Sequence, residues 1–341
     1  MIRVLVVGLG QMGLSHAMAY AKLPEFQVVG LVNRSDVALP DALGHLGIDR
    51  DFDAALARLK PDMVAIATYS DSHAALAIKA MEAGAHVFVE KPLATSVADC
   101  QAVADTAART GRKLMVGHIL RHHPTWVAMI AASRDMGPPY VFRLNLNQRS
   151  TGPAWDIHKA LMQSTPPIVD CGVHYVDVMC QITDAAPVEV RAMGLRLSDE
   201  IAPDMYNYGH FQVIFADGSC GWYEAGWGPM MSETAHFVKD VISPQGAVSL
   251  RAPQGVGSAD VEGHTAADHL ILAPKGQDET VRRFENSPGH QGLCDLQAAA
   301  MARAISDDHD LSRHVNDAVR SVAVCLAADE SVRTGQIVRI Q

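Results

Sequence analysis

The sequence has no surplus of positive charge. Its 28 Lys and Arg residues face 38 Asp and Glu, for a formal net charge of −10 over 341 residues. Nucleic acid and anionic membranes both recruit basic patches, so neither is expected as the main partner. The balance still permits an anionic ligand where the local charge suits one. Also missing is any run near the ~20 apolar residues that span a bilayer. Residues 1–10 are apolar, but Gly8 and Gly10 interrupt them and no small-residue cleavage site follows. The six cysteines (Cys100, Cys171, Cys180, Cys220, Cys294, Cys325) include no C-x-x-C pair, which suits a reducing compartment better than a disulfide framework. There is no internal repeat and no low-complexity tract. These absences predict a cytoplasmic globular protein. The length, beyond what one core usually serves, predicts two domains.

What is present divides near Arg121. Before it, short apolar runs alternate with helical stretches. Strands are expected at 2–8, 26–32, 62–67, 85–89 and 113–117, and helices near 12–22, 52–59, 72–83 and 96–109. This alternation calls for a doubly wound parallel sheet with helices on both faces, a Rossmann α/β domain over residues 1–120. After a helix near 124–134, long strands take over: Tyr140–Arg149, Val188–Leu197, Tyr206–Ala216, Cys220–Gly226 and Ala235–Ile242, with shorter ones near 270–273 and 280–284. Ala216-Asp217-Gly218 is a hairpin turn signal. Helices close the chain near 292–306 and 314–332. Residues 121–341 are thus expected to form an α+β domain with a large, mostly antiparallel open sheet.

Gly8-Leu9-Gly10-Gln11-Met12-Gly13 matches G-x-G-x-x-G, placed directly after a strand and opening a helix. Gly8 permits the tight turn, Gly10 lets the backbone approach a pyrophosphate, and Gly13 lets helix and strand pack closely. The amides of Gln11, Met12 and Gly13 lie at a positive helix end. An acidic residue ending the second strand would hold the ribose 2′-OH of NAD. Here Asn33, Arg34 and Ser35 stand there, which suits a 2′-phosphate and favours NADP over NAD. The competing reading gives the ribose to Asp36.

The fifth strand runs into Glu90-Lys91-Pro92, at the carboxyl edge where ligands of open α/β sheets bind. Lys91 there can polarise a substrate hydroxyl. Further on, a helix is expected at about 168–181. It carries Asp170, His174 and Asp177 at i, i+4 and i+7, on one face. Removing a hydride from a secondary alcohol also requires removing its hydroxyl proton. His174 is read as that general acid/base, Lys91 as the polarising cation, and Asp170 as binding a substrate hydroxyl or orienting the histidine. The bland alternatives are a helix salt bridge, or a divalent-metal site completed by His118, His122 or His123. No His/Cys cluster has metal spacing, so no metal is expected. His118, Arg121, Trp155 and His158 are candidate substrate-binding residues, the first two at a strand edge and the others in a presumed loop. His16 and Tyr20, one turn apart on the first helix, read as packing residues. Tyr206, Tyr208 and His210 line one strand face, with pocket and interface both open.

The glycine turn, Thr68 and His73, Glu90-Lys91-Pro92 and Asp170-x-x-x-His174 together resemble the Gfo/Idh/MocA oxidoreductase family over nearly the whole chain. The resemblance implies cofactor contacts at Thr68, His73, Glu90 and Lys91. It places the matching lysine, aspartate and histidine in a substrate pocket beside the nicotinamide. It also implies redox chemistry on a sugar, anhydrosugar or cyclitol, and a homo-oligomer, dimer or tetramer. Two departures stand out. The family often has proline where Tyr69 follows Thr68, and often an acidic residue after the second strand. A non-catalytic sugar sensor and an NAD-dependent glycosidase on the same fold are the rival functions.

Overall fold

A computed structural model describes residues 1–259, 266–285 and 287–340. They form two compact units, Met1–Ile119 with His290–Val322, and Leu120–Gly289 with Ala323–Gln341. The sequence cut at 120/121 assigned 290–322 to the second domain. The structure instead includes that segment in the first unit.

In the first unit, β1 (Ile2–Val7), β2 (Phe26–Val32), β3 (Ile48–Asp49), β4 (Met63–Ile66), β5 (His86–Val89) and β6 (Leu114–Val116) form one sheet in the order β3-β2-β1-β4-β5-β6. All its pairings are parallel. The chain moves outward from β1 to β3, then returns to β4 on the other side. That reversal opens a crevice at the carboxyl end of β1, where such folds bind ligands. Helices α1 (Gln11–Lys22), α2 (Phe52–Leu59), α3 (His73–Glu82) and α4 (Val97–Thr110) make the crossovers. Local chemistry sets their ends. Asp51 caps α2 by accepting the Ala54 N–H at 3.1 Å, Ser96 caps α4 through the Asp99 N–H at 3.0 Å, and Gly111 ends α4 at φ +64°.

The second unit is built on a nine-stranded sheet. Its chain order is α5 (Pro124–Met136), β7 (Val141–Gln148), α6 (Pro153–Leu161), α7 (Pro167–Asp170), α8 (Gly172–Ile182), β8 (Pro187–Leu195), β9 (Tyr208–Phe215), β10 (Cys220–Trp227), β11 (Lys239–Ser243), β12 (Gly246–Arg251), β13 (His269–Pro274) and β14 (Thr280–Arg283). Helix α9 (His290–Ser306) belongs to the first unit, α10 (Ser312–Thr334) begins there, and β15 (Val338–Arg339) completes the sheet. The strand order is β14-β13-β12-β11-β7-β10-β9-β8-β15, antiparallel throughout except for the parallel β7–β10 pair. Leu144, Tyr223, Phe211 and Ala192 lie in register and are buried. The next row, Arg143, Trp222, Gln212 and Arg191, reaches solvent, as the two-residue period of a strand dictates. The helical side is fixed by Tyr175 of α8, stacked on Tyr223 with ring centroids 5.1 Å apart.

Several local features differ from the sequence reading. The expected helix at 168–181 is two segments: the Cys171 N–H still makes the i−4 bond to the Pro167 carbonyl at 3.1 Å, but the His174 N–H then bonds the Cys171 carbonyl, three residues back, at 3.2 Å. The presumed loop holding Trp155 and His158 is helix α6, begun by Pro153 at its first turn. The strand expected from Ala235 starts at Lys239. Asn145 takes the place of a ladder before it, accepting the Val238 N–H at 2.8 Å and donating to the Ala235 carbonyl at 2.8 Å. Strands β3, β12 and β15 were not foreseen.

Lys239 is wholly buried in this unit. Its Nζ donates to the Asn145 carbonyl and lies 4.6 Å from the Tyr175 ring centroid. Burial pushes its ammonium down from 10.5 to about 7, with Glu224 opposing. The unfolded chain therefore holds a proton that the folded chain releases between about pH 7 and pH 10.5, so this group makes stability rise with pH across that window. Urea unfolding should show wild type gaining on Lys239→Met by up to ~1.4 kcal/mol per pH unit there. Parallel pH dependences would contradict a neutral buried amine.

Candidate functional site

The glycine turn is shaped by close approach. Gly8 has φ +87°, and a Cβ there would sit 2.5 Å from the Ala67 carbonyl oxygen. A Cβ on Gly13 would sit 1.8 Å from the Gly8 carbonyl oxygen. Gly10 has no neighbour within 4 Å of its would-be Cβ. It caps α1 without any side-chain acceptor, so no side chain caps the first-turn amides at Gln11, Met12 and Gly13. Two glycines are thus required by the protein, and the third leaves room for something else. A pyrophosphate fits this cradle.

Beside it, the Asn33 side chain clamps two loops, accepting the Leu9 N–H at 3.0 Å and donating to the Ser35 carbonyl at 2.8 Å. Its amide is therefore engaged within the protein, where a cofactor contact was expected. Asp36 pairs with Arg50, which also donates to the Asn33 carbonyl at 3.1 Å. Arg34 and Ser35 are exposed, and Arg34 has no hydrogen-bond or ion-pair partner among the described residues.

Thr68 follows β4, with its hydroxyl 2.7 Å from that of Ser72. His73 is buried, its Nδ1 at 2.8 Å from the Pro92 carbonyl and its Nε2 at 3.1 Å from the Thr68 carbonyl. It braces two loops at the sheet edge, where a direct cofactor contact was expected. Glu90 is also buried; its Oε1 meets His16 Nε2 at 2.6 Å and its Oε2 accepts the Lys91 N–H at 3.1 Å. Burial opposes its charge, but His16 and Lys91 outweigh burial and lower its pKa. Lys91, half-buried, follows on the same edge and precedes a cis Lys91–Pro92 bond. His118 is buried just beyond β6, its ring 6.3 Å from that of His314, whose Nε2 accepts the Val116 N–H at 2.7 Å.

In the second unit, every residue from Pro166 to Cys180 is buried except Asp170 and His174. Two titratable side chains, four apart, thus reach solvent from an otherwise closed segment. Asp177, expected on the same face, is fully buried and chelated by Arg121, with Nε at 2.9 Å and Nη2 at 2.6 Å. Gln181 adds a bond to it at 2.9 Å. Arg121 is thereby a brace, where a substrate contact was expected. Trp155 is buried and donates to Glu200 at 3.1 Å, so its indole is anchored inside the unit. His158 stacks on Trp227 at 4.3 Å and 7°, and its Nδ1 meets the Ser150 hydroxyl at 2.8 Å. Burial lowers its pKa to about 4 despite the charge of Asp170, leaving a neutral imidazole at pH 7. Among the described residues, no group of three His, Cys, Asp or Glu side chains is arranged to hold a metal ion. No helix among them is long and apolar enough to cross a membrane.

Residues 2–118 match the model of an oxidoreductase family with an NAD-binding Rossmann fold, and residues 126–237 match the C-terminal domain of the same family. The chain belongs to the Gfo/Idh/MocA oxidoreductase family. This Gfo/Idh/MocA chain is 33% identical over 171 residues to 4-carboxy-2-hydroxymuconate-6-semialdehyde dehydrogenase of Sphingobium sp., covering 46% of this chain and 54% of that one. It is 30% identical over 194 residues to UDP-N-acetylglucosamine 3-dehydrogenase of Acidithiobacillus ferrooxidans, covering 57% and 58%. The matched stretches thus span little more than half the length of these two relatives. With scyllo-inositol 2-dehydrogenase (NAD(+)) of Bacillus subtilis the identity is 24%, over 99% of this chain and 96% of that one. An oxidoreductase domain protein from Kribbella flavida shares the fold, with TM-score 0.80 and 22% identity over 100% and 99% of the two chains.

Sequence reasoning on this family member missed His16 as the partner of Glu90, Trp227 as the platform for His158, and His314 as the anchor of β6. The signal for His16 was its place three residues after Gly13, on the face that α1 turns toward the sheet. The other two pairings are long-range and leave no local pattern.

Proposed function

We propose that this chain is an NAD(P)-dependent dehydrogenase or reductase acting on a CH–OH or carbonyl group of a carbohydrate, anhydrosugar or cyclitol, with NADP preferred. The observation that carries the chemistry is the Asp170–His174 pair, alone in reaching solvent from the segment 166–180. His174 takes the hydroxyl proton on oxidation and returns it on reduction. Lys91 polarises the reacting oxygen, and Asp170 binds a neighbouring hydroxyl or orients the imidazole. His158, neutral and held flat on Trp227, suits hydrogen bonding to an uncharged polyol. The nicotinamide, when bound, accepts or supplies the hydride. The substrate class is supported by the inositol and UDP-sugar dehydrogenases among the relatives. The deciding experiment is a screen of sugars, anhydrosugars and inositols with both cofactors, read at the nicotinamide absorbance band. Turnover without net absorbance change would favour glycoside cleavage, and no turnover a sensor.

The NADP preference rests on Arg34, exposed and without a partner among the described residues, where Asp36 is held by Arg50. A charge-assisted contact to a 2′-phosphate is worth about 1.5–3 kcal/mol. Arg34→Ala is therefore expected to weaken NADPH roughly 10- to 100-fold by fluorescence titration and to leave NADH within about threefold. Tighter binding of NADH than NADPH by the unmodified protein would overturn the preference. The open sheet face of the second unit carries exposed Val141, Met193, Leu195, Ile214, Ile242 and Val281, which supports a homo-oligomer, checked by solution mass.

A further inference from the structure

The glycine turn and Lys91 leave one buried arrangement in the first unit without a role. Glu90 is enclosed, yet it retains its charge. One carboxylate oxygen meets His16 Nε2 at 2.6 Å, and the other accepts the Lys91 backbone N–H at 3.1 Å. The carboxylate sits in space left by a glycine, since a Cβ on Gly117 would lie 2.9–3.0 Å from its oxygens and carbon. The imidazole is held in turn, its ring 4.5 Å from that of Phe88. A single proton on His16 Nε2 satisfies the 2.6 Å contact. A second, on Nδ1, would be buried with no acceptor among the described residues. His16 therefore donates its Nε2 hydrogen bond to the carboxylate.

The other titratable groups facing Glu90 are Tyr20 of α1 and Cys294 of α9. Burial pushes the tyrosine far above its usual range and the thiol up to about 12. Both are neutral at ordinary pH, so the neighbours that favour the charged carboxylate are His16 and Lys91. We propose that His16 and Glu90 are a buried positioning pair for Lys91. His16 locks the carboxylate in one orientation, and Glu90 holds both the backbone and the charge of the lysine. The pair acts through Lys91. It keeps Lys91 protonated and aimed, and so rests on the reading of Lys91 as the polarising cation.

The test uses the full chain and needs no known substrate. Reductive methylation with 13C-formaldehyde turns each lysine into an NMR reporter, and Lys91→Arg identifies the Lys91 signal. Removing a facing carboxylate typically moves a charged partner by about one pH unit or more. In Glu90→Gln the Lys91 midpoint is expected to fall by about that amount. His16→Leu should shift it in the same direction, and His16→Gln, which keeps an N–H donor of similar reach, should restore it. Should Glu90→Gln fail to fold by circular dichroism, the two His16 variants decide the matter. A Lys91 midpoint unmoved in every folded variant would overturn the proposal. Turnover retained in Lys91→Met would instead sink the catalytic role of the lysine and leave the titration result standing.

Discussion

Replacing His174 with alanine is expected to lower kcat about 10²- to 10⁴-fold, the usual worth of a positioned general acid/base. Lys91→Met should fall in the same range. Neither change should disturb the fold much, because both side chains are only partly buried. No cofactor contact is assigned to His174, so NADPH affinity in His174→Ala should stay within about threefold of wild type. The measurement is steady-state turnover on whichever polyol the screen identifies, with dinucleotide titration and thermal melting as controls. Turnover near the wild-type rate in either variant would remove that residue from the chemistry. Asp170→Asn offers a finer distinction. If Asp170 binds a hydroxyl, KM should carry most of the loss, and if it orients His174, kcat should.

The second large effect separates two glycines of one motif. Gly13→Ala places a methyl 1.8 Å from a backbone oxygen, so strand and helix must part. Overpacking of this kind costs about 1–3 kcal/mol, and more where only backbone can yield. Both the melting temperature and cofactor binding should drop. Gly10→Ala meets nothing within 4 Å, so the fold should melt within a few degrees of wild type. Its methyl instead occupies the space a pyrophosphate needs, and dinucleotide affinity should fall at least tenfold. Unchanged affinity in Gly10→Ala would contradict the placement of the phosphates. The two variants together separate a glycine needed by the protein from one needed by its ligand.

The sequence reading located the glycine turn, the strand-end lysine and the Asp170–His174 spacing, because each is local and each is punctuated by glycine or proline. Five of the six strands of the parallel sheet were legible for the same reason, since they are short apolar runs rich in β-branched residues. Residues whose meaning depends on a distant partner were misread. Arg121 looked available until Asp177, 56 residues away, engaged its guanidinium. Trp155 looked like a sugar platform but is anchored to Glu200. The stacked platform is instead formed by Trp227 and His158, brought together across 69 residues. His16 looked like packing because its carboxylate partner lies 74 residues on. Periodicity reports which face a residue occupies, not what meets it there.

Helix α9 bears on how this protein is made. Its Cys294, Ala298, Met301, Ala302 and Ala304 share one core with Val4, Val6, Ala17 and Tyr20 near the start of the chain. During synthesis the N-terminal segment is complete at residue 119, but the helix that covers part of its apolar surface is about 170 residues further on. At ~5–20 residues per second, the ribosome leaves that surface uncovered for roughly ten to thirty-five seconds. A fragment ending at residue 120 would never acquire its cover and should aggregate on expression. Fusing 290–322 to it through a flexible linker should restore a soluble nucleotide-binding half.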